Sequence, residues 1–186
     1  IIRLQARVKL MPKNNYSITW LPIERERNLL GLSHCPGKIF TSHMGQSNIK
    51  KDGEFIKSNG VELIISLLTD EEIKSLGIKD FESIWTKLNI KNIKFPIRDL
   101  TSPQTNRLKT FKELIKIILS YIHKSRPVLI HCNAGLGRSG LVAAVVCKEL
   151  KIPNAINFVR SYRKGAIENE AQENFVINWK LMTRLS

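Results

Sequence analysis

The run Val128-Leu129-Ile130-His131-Cys132 passes directly into Asn133-Ala134-Gly135-Leu136-Gly137-Arg138-Ser139-Gly140, and a helical stretch follows. An apolar run, a glycine-rich loop and a helix start in immediate succession constrain the fold strongly. A buried strand that feeds a helix in this way is half of a crossover unit, and such units assemble into layered α/β domains. The same succession makes an anion cradle, because the loop amides and the helix N-terminus point at one spot. The loop itself carries no Asp or Glu, and its three glycines allow positive φ and close approach of backbone to a ligand.

The residue types in that cradle specify a chemistry. A lone cysteine after a strand is more often a small buried hydrophobe. Here Arg138 stands six residues beyond Cys132, with glycines between them and a helix behind. A helix N-terminus and a nearby cation favour the thiolate, so Cys132 is expected to be the nucleophile that attacks a phosphoryl group. Arg138 offers a planar fork that holds two phosphoryl oxygens and stays charged throughout, which a lysine would not replace. Ser139 is placed to donate its hydroxyl to the cysteine sulfur when that sulfur leaves. His131 is expected to orient the loop through ring hydrogen bonds rather than to titrate as a base. Asn133, Ala134, Gly135, Leu136 and Gly137 supply the phosphate-binding backbone together with Arg138.

The pattern His131-Cys132-x5-Arg138-Ser139 resembles that of the cysteine-dependent protein tyrosine phosphatases, and Ala134-Gly135-Leu136-Gly137-Arg138-Ser139-Gly140 is similar to the small dual-specificity branch. Ile18-Thr19-Trp20-Leu21, Leu30-Gly31-Leu32-Ser33, Pro36-Gly37-Lys38 and Pro96-Ile97-Arg98-Asp99 resemble the kinase-associated phosphatase group, the cyclin-dependent kinase inhibitor 3 family. The resemblance runs from residue 18 to the C-terminus. It implies a general acid on a separate loop, worth ~10²–10⁴-fold in rate. Asp99 fits that position, following a short apolar segment and preceding Thr101-Ser102-Pro103. A solvated aspartate beside Arg98 is the competing reading. Asp70 and Asp80 are rival carboxylates, each expected at a helix start where capping accounts for it. The resemblance also implies a glutamine that holds the hydrolytic water; Gln172 matches it, and a polar residue on a helix face explains Gln172 equally. Arg160 and Arg163 either support the loop, bind a second phosphate or form a solvated helix face.

Alternation of elements sets the fold class: α/β, with a mostly parallel central sheet and helices on both faces and the site at the carboxyl ends of the strands; the resemblance implies that this fold is protein tyrosine phosphatase-like. Strands are predicted at residues 18–21, 38–41, 61–68, 93–97 and 128–130. Helices are predicted at residues 53–58, from Thr69 toward Leu76, and at 80–88, 106–124, 139–150, 153–162 and 170–185. Thr69-Asp70-Glu71-Glu72 reads as a capping box. A length of 186 residues suits a single phosphatase domain spanning residues 1–186.

No segment approaches the ~20 apolar residues of a membrane span. Three cysteines, Cys35, Cys132 and Cys147, lack metal-ligand spacing and fit a reducing, cytoplasmic compartment. A regulatory disulfide between Cys35 and Cys132 is left open. No cofactor is expected, and no divalent metal, because thiolate and arginine replace metal-assisted attack. The formal net charge of +14 is spread over nearly every element. It favours anionic partners: a phosphorylated protein substrate first, with a protein kinase implied by the resemblance and an anionic membrane surface left open. Nucleic acid is disfavoured as a partner, and a monomer is expected. The expected activity is hydrolysis of phosphotyrosine, and of phosphothreonine or phosphoserine, through a cysteinyl phosphate. Phosphoinositide or RNA 5′-phosphate hydrolysis and noncatalytic phosphopeptide binding stand as alternatives.

Overall fold

The chain is described in a computed structural model over residues 16–23, 27–39 and 49–184. Five strands, β1 (Thr19–Ile23), β2 (Arg27–Ser33), β3 (Leu63–Ser66), β4 (Lys91–Lys94) and β5 (Val128–His131), form one sheet in the order β1-β2-β5-β3-β4. Among the described residues only the β1–β2 pair is antiparallel; the β2–β5, β5–β3 and β3–β4 pairs are parallel. Among the described residues seven α-helices accompany them: α1 (Ile49–Ser58), α2 (Asp70–Ser75), α3 (Ser83–Lys87), α4 (Leu108–His123), α5 (Gly137–Glu149), α6 (Ala155–Tyr162) and α7 (Glu170–Arg184). The mostly parallel sheet with helices on both faces agrees with the alternation read from the sequence.

Strand periodicity divides the core between the two faces. Leu63, Ile65, Val128 and Ile130 pack with Phe111 and Ile118 of α4 and with Val142 and Val145 of α5. Ile64 and Leu129 point the other way, onto Ile56 of α1 and Trp85 of α3. The predicted stripe of α4 is buried at Leu108, Phe111, Leu114, Ile115, Ile118 and Ile122. Each such side chain contributes roughly 1.5–3 kcal/mol by leaving water. Among the described residues, no helix is long and apolar enough to cross a membrane.

The register fixes where the site stands. Ser33 lies opposite His131, His131 opposite Ser66, and Ser66 opposite Lys94. Four parallel strands therefore end on one level, and the loops that leave them meet above it.

Some elements depart from expectation. Strand β2 was not anticipated, because Gly31 interrupts a short apolar run; a Cβ there would stand 2.6 Å from Cγ2 of Ile18 and 3.1 Å from the Trp20 ring. Lys38 and Ile39 belong to no strand, and the rest of the predicted 38–41 strand lies outside the described residues. The chain turns instead, Lys38 N–H donating to Cys35 O (3.2 Å) and Gly37 N–H to the Asp52 carboxylate (2.8 Å). The helix expected from residue 80 begins only at Ser83, since Asp80 is left-handed (φ 60°) and Glu82 holds the N-cap position; Asp80 contributes its carbonyl, which accepts from Ile84 N–H (3.1 Å). Asp70 is not a cap either: Thr69 caps α2, and Asp70 pairs with Lys94. Cys35, Cys132 and Cys147 are free thiols. Burial pushes the Cys35 thiol far above the ordinary thiol range and that of Cys147 up to about 12.

Candidate active site

Strand β5 delivers Cys132 to the sheet's carboxyl edge, and the residues after it wrap back before α5 begins. Gly135 N–H donates to Cys132 Sγ (3.2 Å), and the Ser139 hydroxyl lies 3.5 Å from the same sulfur. The carbonyls of this loop are all engaged on its outer side. Asn133 O accepts from Cys35 N–H (3.2 Å), and Leu136 O accepts from Ile167 N–H (3.3 Å) and Gly140 N–H (2.9 Å). Arg163 donates to Gly135 O (3.0 Å) and Ala134 O (3.2 Å) and anchors on Thr19 Oγ1 (3.0 Å). In a trans peptide the N–H opposes the C=O. Carbonyls tied outward therefore turn the following amides inward, which is how a ring of donors is held ready for an anion.

Arg138 leaves the first turn of α5 with its side chain only 1% exposed. Its two terminal nitrogens bond the Glu72 carboxylate in a fork, at 2.8 and 2.9 Å. It also donates to Ile97 O (3.0 Å) and lies 3.0 Å from the Asp99 carboxylate. Its Nε is buried without a hydrogen-bond partner in the protein, a donor left for a ligand oxygen. Glu72 serves twice. It completes the capping box of α2, accepting from Thr69 N–H (3.0 Å) while Thr69 Oγ1 accepts from Glu72 N–H (3.2 Å), and it pairs with Arg138. Partial burial acts to raise the pKa of Glu72, but the bonds from Arg138 and Thr69 outweigh it and hold the carboxyl below its ordinary range.

His131 sits beneath the loop, fully buried, with Nε2 at 2.8 Å from Ser66 Oγ and Nδ1 at 3.4 Å from Cys132 O. Burial lowers its pKa to about 4, so the ring is neutral at physiological pH. Asp99 reaches the site because the chain stays extended after β4: Phe95 N–H bonds Ser66 O (2.9 Å) and Ile97 N–H bonds Leu67 O (3.0 Å). Its side chain is 62% exposed.

Gln172, in the first turn of α7, is fully buried and its amide is engaged, Oε1 by Glu168 N–H (2.9 Å) and Nε2 by Thr101 O (3.3 Å). Glu168 and Gln172 both face the loop from this side: Glu168 Oε2 lies 2.2 Å, and Nε2 and Oε1 of Gln172 each 3.0 Å, from where a Cβ on Gly137 would stand. The loop between Cys132 and Arg138 has no acidic residue of its own, yet folding brings three carboxylates, Glu72, Asp99 and Glu168, to it and its arginine. Arg163, the residue just past α6, braces the loop, while Arg160 on α6 bonds Ala166 O (3.0 Å) and Ile167 O (2.7 Å).

Glu72, Glu168 and the Lys38 ammonium, which donates to Asn133 Oδ1 at 2.6 Å, were not anticipated as site residues. The capping box marked Glu72, but its meeting with Arg138 depends on β3 lying beside β5, which no local pattern announces.

A family model described as Cyclin-dependent kinase inhibitor 3 (CDKN3) matches residues 12–159. The chain belongs to that family. The Cyclin-dependent kinase inhibitor 3 of Sus scrofa is 32% identical over 178 residues, covering 91% of this chain and 82% of the relative. That of Rattus norvegicus is 30% identical over 166 residues, 86% of this chain and 76% of the relative. Among solved structures, kinase associated phosphatase with its catalytic-site cysteine substituted by serine superposes with a TM-score of 0.81. That match has 27% identity and covers 92% of this chain and 97% of the other. Tk-PTP in its active form shares the fold, with a TM-score of 0.68 at 22% identity over 90% of this chain and 97% of that one. This member of the cyclin-dependent kinase inhibitor 3 family is a cysteine-dependent phosphatase of the dual-specificity branch, a phosphoric monoester hydrolase.

Proposed function

We propose that the chain is a single phosphatase domain acting on phosphotyrosine and on phosphothreonine or phosphoserine in proteins, with Cys132 as nucleophile and Asp99 as general acid. One observation carries this reading: the outward-tied carbonyls of residues 133–136 surround a sulfur that already accepts Gly135 N–H, beside an arginine with one unspent donor.

In the first step, the Cys132 thiolate attacks phosphorus in line with the scissile P–O bond. The S–P bond forms as the P–O bond breaks, and Asp99 delivers its proton to the departing oxygen. Charge on the three equatorial oxygens is met by the inward amides and Arg138. In the second step, water attacks phosphorus, its proton goes to the Asp99 carboxylate, and the S–P electron pair returns to sulfur, which the Ser139 hydroxyl steadies. Neutral His131 holds the Cys132 carbonyl and the end of β5 without exchanging protons. No step calls for a cofactor. The family takes its name from a cyclin-dependent kinase, and a phosphorylated protein kinase is our leading choice of partner.

The test compares turnover of a phosphotyrosine peptide, a phosphothreonine peptide, a phosphoinositide and a 5′-triphosphorylated RNA at matched ionic strength, in the parent and in Cys132→Ser. The expected result is turnover of the peptides, abolished by the substitution. Preferential hydrolysis of the lipid or RNA, or turnover that survives the loss of the thiol, would contradict the proposal.

A further inference from the structure

Asn169 sits immediately before α7 and uses both ends of its side-chain amide. Oδ1 accepts the N–H of Gln172 (2.9 Å), capping the helix. With the oxygen turned toward the helix, Nδ2 faces the opposite way and donates to the carbonyl of Leu100 (2.9 Å). Leu100 directly follows Asp99 and is held at φ 58°, a left-handed conformation that a leucine keeps only when its surroundings impose it. One residue further, Thr101 O accepts from Gln172 Nε2 (3.3 Å). On the other side of Asp99, Ile97 O is held by Arg138 (3.0 Å). The two carbonyls after the acid are thus gripped by the start of α7, and one before it by the phosphate-binding arginine.

We propose that Asn169 is a positioning residue for the general acid: its amide couples the helix cap to the Leu100 carbonyl and so holds the Asp99 carboxyl over the leaving-group oxygen. The inference rests on Asp99 being the acid of the reaction described above. Asp99 itself is largely solvent-exposed, with the guanidinium of Arg138 as its ion-pair partner. A substrate phosphate draws on that same guanidinium, so the backbone clasp is what keeps the carboxyl in place during turnover.

The cap and the clasp are separable by substitution. Asn169→Asp and Asn169→Ser both retain an oxygen that can cap α7, and both lose the N–H that reaches Leu100. An acid matters for a poor leaving group and hardly at all for a good one. For each variant, kcat/KM on a phosphothreonine peptide, which reports the steps through P–O cleavage, should fall about 10-fold, within the ~10²–10⁴-fold contribution of an acid. On an aryl phosphate whose phenol ionises below neutral pH, kcat/KM should change by less than about 2-fold. In an Asp99→Asn background, Asn169→Ser should add nothing, because the group it positions is gone.

An equal loss on both esters, no loss on either, or an undiminished loss in the Asp99→Asn background would overturn the positioning role. If Asp99→Asn itself shows no dependence on leaving group, the assignment of the acid falls, and the inference with it. If Asp99→Asn shows that dependence and the Asn169 variants do not, only the inference falls.

Discussion

Gly135 is held at φ 75°, and a Cβ on it would stand 2.3 Å from the carbonyl oxygen of Ser33 and 2.7 Å from the amide nitrogen of His34. Neither obstacle can swing aside, since both are backbone of the segment that follows β2. Gly135→Ala therefore has to push the catalytic loop away from that segment, in addition to the penalty of a left-handed alanine. We expect a stability loss of roughly 2–4 kcal/mol by chemical denaturation. We also expect kcat to fall by about 10² or more, because the amide that meets Cys132 Sγ belongs to this residue. Wild-type turnover and stability in Gly135→Ala would mean that the packing of the loop against Ser33 is not what shapes it.

Helix α2 is only six residues long, yet it carries the partner of the buried Arg138 guanidinium. Taking Arg138 out of water is costly unless a carboxylate meets it, and breaking such a buried pair by removing one member is the expensive change. Glu72→Gln isolates that contribution, because glutamine also completes a capping box. The variant should keep α2 but lose about 1–3 kcal/mol of stability and at least about 10-fold in kcat/KM, through an arginine no longer held by a charge. Unchanged kinetics in Glu72→Gln would assign the pair to packing alone. The same element shows how far the sequence could be read. The capping box, the α4 stripe and the strand-loop-helix around Cys132 are short-range patterns and appear where they were predicted. The Glu72–Arg138 pair, the grip of Arg163 on the loop and the approach of Glu168 to Gly137 join residues far apart in the chain, and they exist only because of the order in which the strands pair. Gln172 illustrates the limit: its place was legible, but its engagement with Glu168 and Thr101 was not.

The molecule as a whole places two histidines, His131 and His34, where burial lowers their pKa to about 4. Below the unfolded value of ~6.5 the unfolded chain takes up protons that the folded chain refuses, so stability must fall as pH drops from there toward 4. For His131 the loss amounts to as much as about 3 kcal/mol. Glu72 acts in a lower window: its depressed pKa contributes stability above the unfolded value of ~4.3, and that contribution is lost as pH falls through the folded value. Denaturant titrations between pH 8 and about 4 should show the first decline, and His131→Asn should flatten it; an unchanged slope would mean that another group governs the acid limb. The proposed nucleophile is tested at the sulfur of Cys132 itself. Asp99→Ala mixed with an aryl phosphate and quenched in acid within one turnover should yield, by peptide mass spectrometry, a phosphoryl adduct on the peptide that contains Cys132. A phosphoryl group found on another residue, or turnover that proceeds with no covalent adduct at all, would contradict the account.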